Sequence, residues 1–380
     1  MFSRLYLHTP WCLSKCDYCA FNSRPLEPHR LEQTCNLLLQ EMELAAAAYP
    51  LNQPLRSVYF GGGTPSLLDP EQVNRLIAHS RDLFGHSDAI EITLEANPGT
   101  VSLDSLTGYR LAGVTRLSLG AQSFNDQLLQ TLGRRHTAAE TRSAFQLAQQ
   151  AGFSSIGLDL ICGLPEQTMT DWQQDLAAAL ALQPDHLSVY GLTIEEETPF
   201  AGRYPVESDA LPDHDLSASM LEEADSRLTA AGYDHYEIAN FARPGCRSQH
   251  NCGYWQRDGY LGIGPGAHSF LRQGWGIRWG NQDDFETWAA AVQNNALAAT
   301  EQQQLSREDA LSEYIFLGLR MADGISLTGF AEEFGERLEQ RYAEEIRQLQ
   351  QAGLLAYSQD RLCLTKRGML LSNQVFVRFL

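Results

Sequence analysis

Three cysteines, Cys12, Cys16 and Cys19, stand at C-x3-C-x2-C spacing in the stretch CLSKCDYCAF of residues 12–21. Cysteine thiolates are the normal ligands of iron–sulfur clusters, whereas a structural zinc site asks for a fourth Cys or His at matching spacing. Position 21 is Phe21, and His8 lies on the strand before the loop. Three thiolates directly after a strand therefore fit a [4Fe–4S] cluster with one iron left without a protein ligand. The alternative is three buried cysteines grouped by chance, against which Trp11, Tyr18 and Phe21 read as aromatic shielding of the loop. A second feature is Gly61, Gly62 and Gly63 in FGGGTP (60–65), after the second strand. Glycines there let the backbone approach a ligand and adopt positive φ.

Such residues need elements to position them. The first 190 residues alternate β-rich runs with amphipathic helical stretches. Strands are predicted at 4–8, 56–60, 89–95, 116–121, 155–161 and 186–191. Leu31, Cys35, Leu38, Met42 and Ala45 recur at four- and three-residue steps, one apolar helical face. Further helices are predicted near 70–84, 102–112, 137–151 and 168–182. Strands alternating with helices imply parallel β/α units whose working loops lie at the strands' C-terminal ends. The pattern leaves an open sheet and a curved partial barrel both available. Beyond about 200 come a helix near 214–231 and a Gly/aromatic-rich stretch, 235–270. From about 305 the chain is helical, followed by two short strands in GLLAYSQDRLCLT (353–365) and a last helix, a small winged-helix-like pattern.

Composition narrows the function classes. The chain has 380 residues, 43% of them hydrophobic, and no apolar run approaches the length of a membrane span. With no secretory signal at RLYLHT, a cytoplasmic protein is expected, peripheral membrane contact being left open. A formal charge of −19 and no Lys/Arg cluster argue against nucleic acid as a partner. Eight cysteines in such a chain do not suggest a disulfide framework. Cys35 and Cys363 read as small buried hydrophobes, and Cys162 has no assigned role.

The cysteine loop and FGGGTP together resemble the radical S-adenosylmethionine (SAM) superfamily. There the methionine amino and carboxylate groups of SAM chelate the fourth iron, and the reduced cluster cleaves SAM to a 5′-deoxyadenosyl radical. YLHTPWC (6–12), FGGGTP, EANPGT (95–100), GAQSF (120–124), LGRRHT (132–137) and DLICGLPEQT (159–168) run in the order found in oxygen-independent coproporphyrinogen III oxidases and their relatives. The resemblance implies an α/β fold, a partial (β/α)6 radical-SAM barrel, with a small C-terminal winged-helix-like α+β domain. It implies a core over 1–235, a connecting segment over 236–300 and the C-terminal domain over 301–380. Tyr6, Gly62 and Glu95 match positions that hold the first SAM. Gly63, Thr64, Gln122, Arg134 and Asp159 match positions that hold a second SAM in the oxidases. The chemistry is apt: Glu95 can accept from an ammonium, Arg134 can fork onto a carboxylate, and Asp159 can accept from ribose hydroxyls. Alternatively, Glu95 and Asp159 bond loop backbone.

Two departures separate this chain from the oxidases, which resemble C-x3-C-x2-C-x-C and carry an N-terminal extension. Here Phe21 takes the place of the further cysteine, and eleven residues precede Cys12. Both features, with HNCGYW (250–255), are similar to the HemW-type haem chaperone family and its H-N-x-x-Y-W motif. The resemblance implies haem as ligand, His250 as axial ligand, and Tyr254 and Trp255 packed on the porphyrin. On spacing alone, His250 is a hydrogen-bonded loop histidine and the aromatics are core. His268 in GPGAHSF is a second candidate, and Cys246 and Cys252 flank His250 without an evident role. The implied partners are haem and haem-accepting proteins, respiratory or ferritin-like. The rival is a coproporphyrinogen III dehydrogenase, decarboxylating propionates with SAM. An RNA-modifying radical-SAM protein is disfavoured by charge, and the acid-rich C-terminal segment reads as a lid or docking surface rather than a DNA reader.

Overall fold

The structure, a computed structural model, describes residues 2–49, 53–205 and 208–380. Six strands, β1 (Arg4–Thr9), β2 (Leu55–Gly62), β3 (His86–Ala96), β4 (Arg116–Gln122), β5 (Ser155–Cys162) and β6 (His186–Gly191), pair in chain order, all parallel. Between them run α1 (Arg30–Ala48), α2 (Pro70–Phe84), α3 (Leu103–Ala112), α4 (Ala138–Gln150) and α5 (Met169–Leu182). The helix starts are written in the sequence. Asp69 and Gln72, Thr137 and Glu140, and Thr168 and Asp171 each close a capping box, satisfying backbone donors that the first turn leaves free.

Alternation along the strands separates core from site. Leu5, Leu7, Val58, Phe60, Leu94, Leu117 and Leu158 are buried in one core with Leu38, Met42, Leu76, Phe145 and Trp172 of the helices. The opposite face carries Tyr6, Tyr59, Glu95, Ser118 and Asp159. Its groups sense one another across non-adjacent strands: Asp159 on β5 helps to raise the pKa of Glu95 on β3. This concave face is the lumen of the partial (β/α)6 barrel.

The six strands and five helices lie within three residues of their sequence-predicted limits; the largest difference is β3, which starts at His86. The chain after α6 (His214–Ala230) departs further. Instead of only connecting two domains, residues 236–300 pair into the same sheet. With β7 (Asp234–Glu237), β8 (Asn240–Ala242), β9 (Tyr260–Ile263), β10 (His268–Leu271), β11 (Ile277–Gly280) and β12 (Gln303–Gln304), the sheet has twelve strands. Their order is β12-β11-β10-β9-β1-β2-β3-β4-β5-β6-β8-β7. Strand β9 runs parallel to β1, and β10 and β11 follow antiparallel. The HNCGYW stretch forms a short helix, α7 (Gln249–Trp255), with the Ser248 side chain as N-cap. An α8 (Phe285–Gln293) packs its aromatics back on the main core.

The C-terminal part has its own apolar core, Ala310 to Phe379, around α9 (Arg307–Leu319), α10 (Leu327–Phe334) and α11 (Ala343–Gln351). Strands β13 (Ile325–Ser326), β14 (Leu355–Ser358) and β15 (Arg361–Leu364) complete it as a small antiparallel sheet. The order helix, strand, two helices joined by a short helical turn (Leu338–Arg341), hairpin matches the winged-helix-like pattern expected from sequence.

Candidate cluster loop and adjoining cavity

The cysteine loop leaves the C-terminal end of β1 and is closed at its base. Trp11–Cys12 pairs with Arg24–Pro25, and the Leu26 N–H donates to the Cys12 carbonyl at 2.7 Å. Trp11 is buried, donating its indole N–H to Thr34 of α1 at 2.7 Å, with Phe285 against its ring. The glycine loop after β2 lies on this base: Gly63 N–H donates to the Thr9 carbonyl and Thr64 N–H to the Trp11 carbonyl. Gly62 takes φ of +111°, and a Cβ there would fall 2.6 Å from the His8 ring, so only glycine suits the approach. Further out, Asp17 is tied to Leu132 and Arg203, and Lys15 Nζ donates to the Phe21 carbonyl at 3.2 Å.

Donors are aimed at the sulfurs. Thr64 Oγ1 donates to Cys12 Sγ at 3.4 Å, and Arg134 Nη1 to Cys16 Sγ at 3.5 Å. Asn97 links the two, donating to Thr64 at 2.9 Å and accepting from Arg134 at 2.5 Å. Burial pushes the Cys12 and Cys19 thiols up, while hydroxyl donors to Cys12 and the Phe21 N–H at Cys19 pull the other way. Such donors are the means by which proteins tune cluster thiolates. Among the described residues, no three His, Cys, Asp or Glu side chains stand as a cage for a single ion. The donor set thus fits a [4Fe–4S] group. Asn97, two residues past Glu95 in EANPGT, was not among the sequence candidates although its motif was.

The other candidates for SAM binding line the lumen above this loop. Tyr6 is enclosed, its hydroxyl 3.1 Å from His8 Nδ1. Glu95 accepts from the Tyr59 hydroxyl at 2.7 Å, and burial pushes its pKa up to about 7. Asp159, between the Ser118 and Ser188 hydroxyls, is also raised by burial. Gln122 is buried at the end of β4 with φ of +65°, a left-handed conformation that costs a non-glycine residue strain. Arg134 also donates to the Gly120 carbonyl at 2.8 Å, and its Nε has no partner among the described residues. Gln122 and Arg134 both lie against Gly120, and Arg134 is among the groups that oppose the rise of the Asp159 pKa.

His250 lies elsewhere. Helix α7 plugs the N-terminal end of the barrel, opposite the cysteines, with the N–H groups of Gln249 and His250 on the Glu91 carboxylate, both at 2.9 Å. The His250 ring is 1% exposed. Its Nδ1 is 2.9 Å from the Ser57 hydroxyl and its Nε2 2.8 Å from the Tyr254 hydroxyl. Burial, then Arg4 and Arg116, hold the imidazole neutral, well below its usual range. The expectation that His250 presents a nitrogen to haem is therefore not met in this structure, because both nitrogens are used in the floor. Gly253 is required there: a Cβ would land 1.6 Å from Arg4 Nε, whose guanidinium crosses to Asp258 at 2.6 Å.

A cavity of about 430 Å3 joins the two ends. It runs from Phe21, Gly62 and His268 at the cysteine end, past Tyr6 and Glu95, to Tyr254 and Trp255 of α7 and Glu313 and Leu317 of α9. Phe21, expected to shield the cysteines, is instead 66% exposed at this cavity's mouth. Trp255 carries the Arg320 guanidinium 4.3 Å from its ring centre. A second cavity of about 250 Å3 adjoins Cys16 on the Arg134 side. Cys35 is buried as expected, Cys363 is only half-buried, and Cys162, which was assigned no role, is buried.

Residues 6–179 match the Radical SAM superfamily, and residues 305–371 match the HemN C-terminal domain. The chain is 36% identical over 377 residues to the heme chaperone HemW of Bacillus subtilis (strain 168), covering 99% of this chain and 98% of that one. It is 44% identical over 271 residues to the heme chaperone HemW of Haemophilus influenzae, 70% of each chain. Among solved structures, the coproporphyrinogen III oxidase HemN of Escherichia coli, a radical SAM enzyme, superposes with a TM-score of 0.86 at 25% identity. That match covers 100% of this chain and 90% of the oxidase. The superfamily match implies a [4Fe–4S] cluster and SAM as cofactors, and the thiolate donors around the cysteine loop fit them. Similarity over nearly its whole length to several such relatives makes this chain a member of the HemW heme chaperone family, within the radical SAM superfamily.

Proposed function

We propose that the chain is a haem chaperone of the radical SAM type, which binds haem and passes it to acceptor proteins. The full-length similarity to heme chaperones carries this reading. In it, Cys12, Cys16 and Cys19 hold the cluster, Tyr6, Gly62 and Glu95 the first SAM, and Gly63, Thr64, Gln122, Arg134 and Asp159 a second SAM. When bound, the cluster and SAM supply one-electron chemistry. The chain's own part is electrostatic. Thr64 and Arg134 donate to thiolates. Glu95, near neutrality in its pKa, ionises readily once an ammonium lies beside it. The cavity, bounded by Phe21, Tyr254 and Trp255, offers an aromatic-walled volume for haem.

The second reading, a coproporphyrinogen III dehydrogenase, draws on the likeness to HemN and on the presence of Gln122, Arg134 and Asp159. One experiment separates them: anaerobic reconstitution of the full chain, haem titration, then incubation with coproporphyrinogen III, SAM and reductant. Stoichiometric haem binding without protoporphyrinogen formation is expected. Clear protoporphyrinogen production would replace the chaperone reading with the enzymatic one.

A further inference from the structure

We propose that His268 is the side chain that coordinates the haem iron, at the mouth of the 430 Å3 cavity, and that His250 is a positioning residue of its floor. The proposal rests on the chaperone reading and names the site at which that reading acts.

An axial histidine needs a nitrogen lone pair facing open space. Two histidines, His8 and His268, line this cavity, and a third, His250, bonds Tyr254 of its wall. The His8 ring is buried and committed at both nitrogens, to Tyr6 at 3.1 Å and to the Asn22 carbonyl at 2.8 Å. His250 is equally committed, to Ser57 and Tyr254. His268 alone of the three is exposed, and its imidazole makes no hydrogen bond among the described residues. Its strand neighbour across β10 and β11 is Gly280, so no side chain from that position covers the ring.

The surroundings suit a flat apolar dicarboxylate. Phe270 follows on the same face of β10, Tyr260 lies 6.2 Å from Phe270, and Tyr254 packs edge-on at 4.5 Å from Tyr260. Across the mouth stands Phe21, whose exposed ring is left for a ligand to cover. Arg278, on the same face as Phe270 in the register, has a side chain that is 36% exposed and is held by Glu313 at 2.8 Å. That cation can meet a propionate without leaving the cavity wall. The volume falls in the range of about 300–1,000 Å3 usual for cofactor sites. His250 contributes by fixing the Tyr254 hydroxyl, and so the aromatic end of the same cavity.

The test uses full-length protein reconstituted anaerobically, titrated with haem, and followed by visible absorption and electron paramagnetic resonance. His268→Ala is expected to weaken haem binding by about 10–100-fold and to abolish the nitrogen-ligand signature, with added imidazole restoring the signature. Because the side chain is exposed, cluster iron content and melting temperature should match the unmodified chain. His250→Ala is expected to lower the melting temperature yet keep the axial signature. If His268→Ala retains affinity and signature, or if His250→Ala alone abolishes the signature, the assignment is overturned while the chaperone reading stands. If the unmodified chain binds no haem, both are overturned.

Discussion

Glu41 of α1 is 1% exposed and accepts three hydrogen bonds, from Gly264 N–H at 2.8 Å, Asn281 Nδ2 at 2.7 Å and Trp288 Nε1 at 2.9 Å. No cation is among these donors, and burial pushes its pKa up from 4.5 to about 7. A group raised in the folded state stabilises fully below its unfolded pKa and loses that contribution as pH rises through the folded one. Glu41 should therefore cost stability progressively between about pH 4.5 and 7, by on the order of 3 kcal/mol in total. Glu41→Gln removes the titration. Melting scans at pH 5 and pH 8 should shift in the variant's favour at the higher pH, and a difference that does not change with pH would refute the account. The residue has a positional consequence as well, since it ties the helix after the cysteine loop to the turn leading into β10 and His268.

At the scale of elements, α7 is the part whose role is least like its sequence. Its seven residues fill the barrel's N-terminal end, and Gly253 makes room for the Arg4–Asp258 pair. Gly253→Ala should displace the Arg4 guanidinium and destabilise the fold by about 1–3 kcal/mol, the usual cost of overpacking. Chemical denaturation should show it, whereas an unchanged midpoint would mean that the floor yields. The six parallel strands and their helices were legible because apolar residues alternate along the strands and recur at three- and four-residue steps along the helices. The cysteines were legible because their chemistry is local in the chain. Helix α7 was not, since Gly, Asn and Cys are poor helix formers and its stability comes from Glu91 and Ser57 on distant strands. The same holds for β9, whose four residues become a strand by pairing with β1. His250 illustrates the limit: its motif is recognisable, but whether its nitrogens face a ligand or a wall depends on side chains far along the chain.

Across the whole molecule, charged pairs help to dock the C-terminal domain on the barrel. Arg257 and Arg278 share Glu313 at 3.3 and 2.8 Å, and Arg257 reaches Glu333 at 3.3 Å. Backbone bonds from Ile238 to Arg320 and from Ala322 to Tyr236 extend the seam. Glu313→Ala leaves buried Arg257 with only Glu333 and the Trp275 carbonyl, a loss of about 2–3 kcal/mol for a charged hydrogen-bonded partner. Limited proteolysis should then cut faster around residues 294–306, before α9, and an unaltered cleavage rate would show that the remaining contacts of the seam suffice. Because Glu313 and Leu317 also border the large cavity, that loosening should be felt at the cavity's far end. The chain carries only two lysines, Lys15 and Lys366. The first is bonded to Phe21 inside the cysteine loop, and the second bridges the C-terminal domain to Asp225 of α6 at 2.7 Å. Apart from the amino terminus, an amine-directed label can therefore react at just two places, one reporting on the ordering of the cluster loop and the other on the docking of the domain.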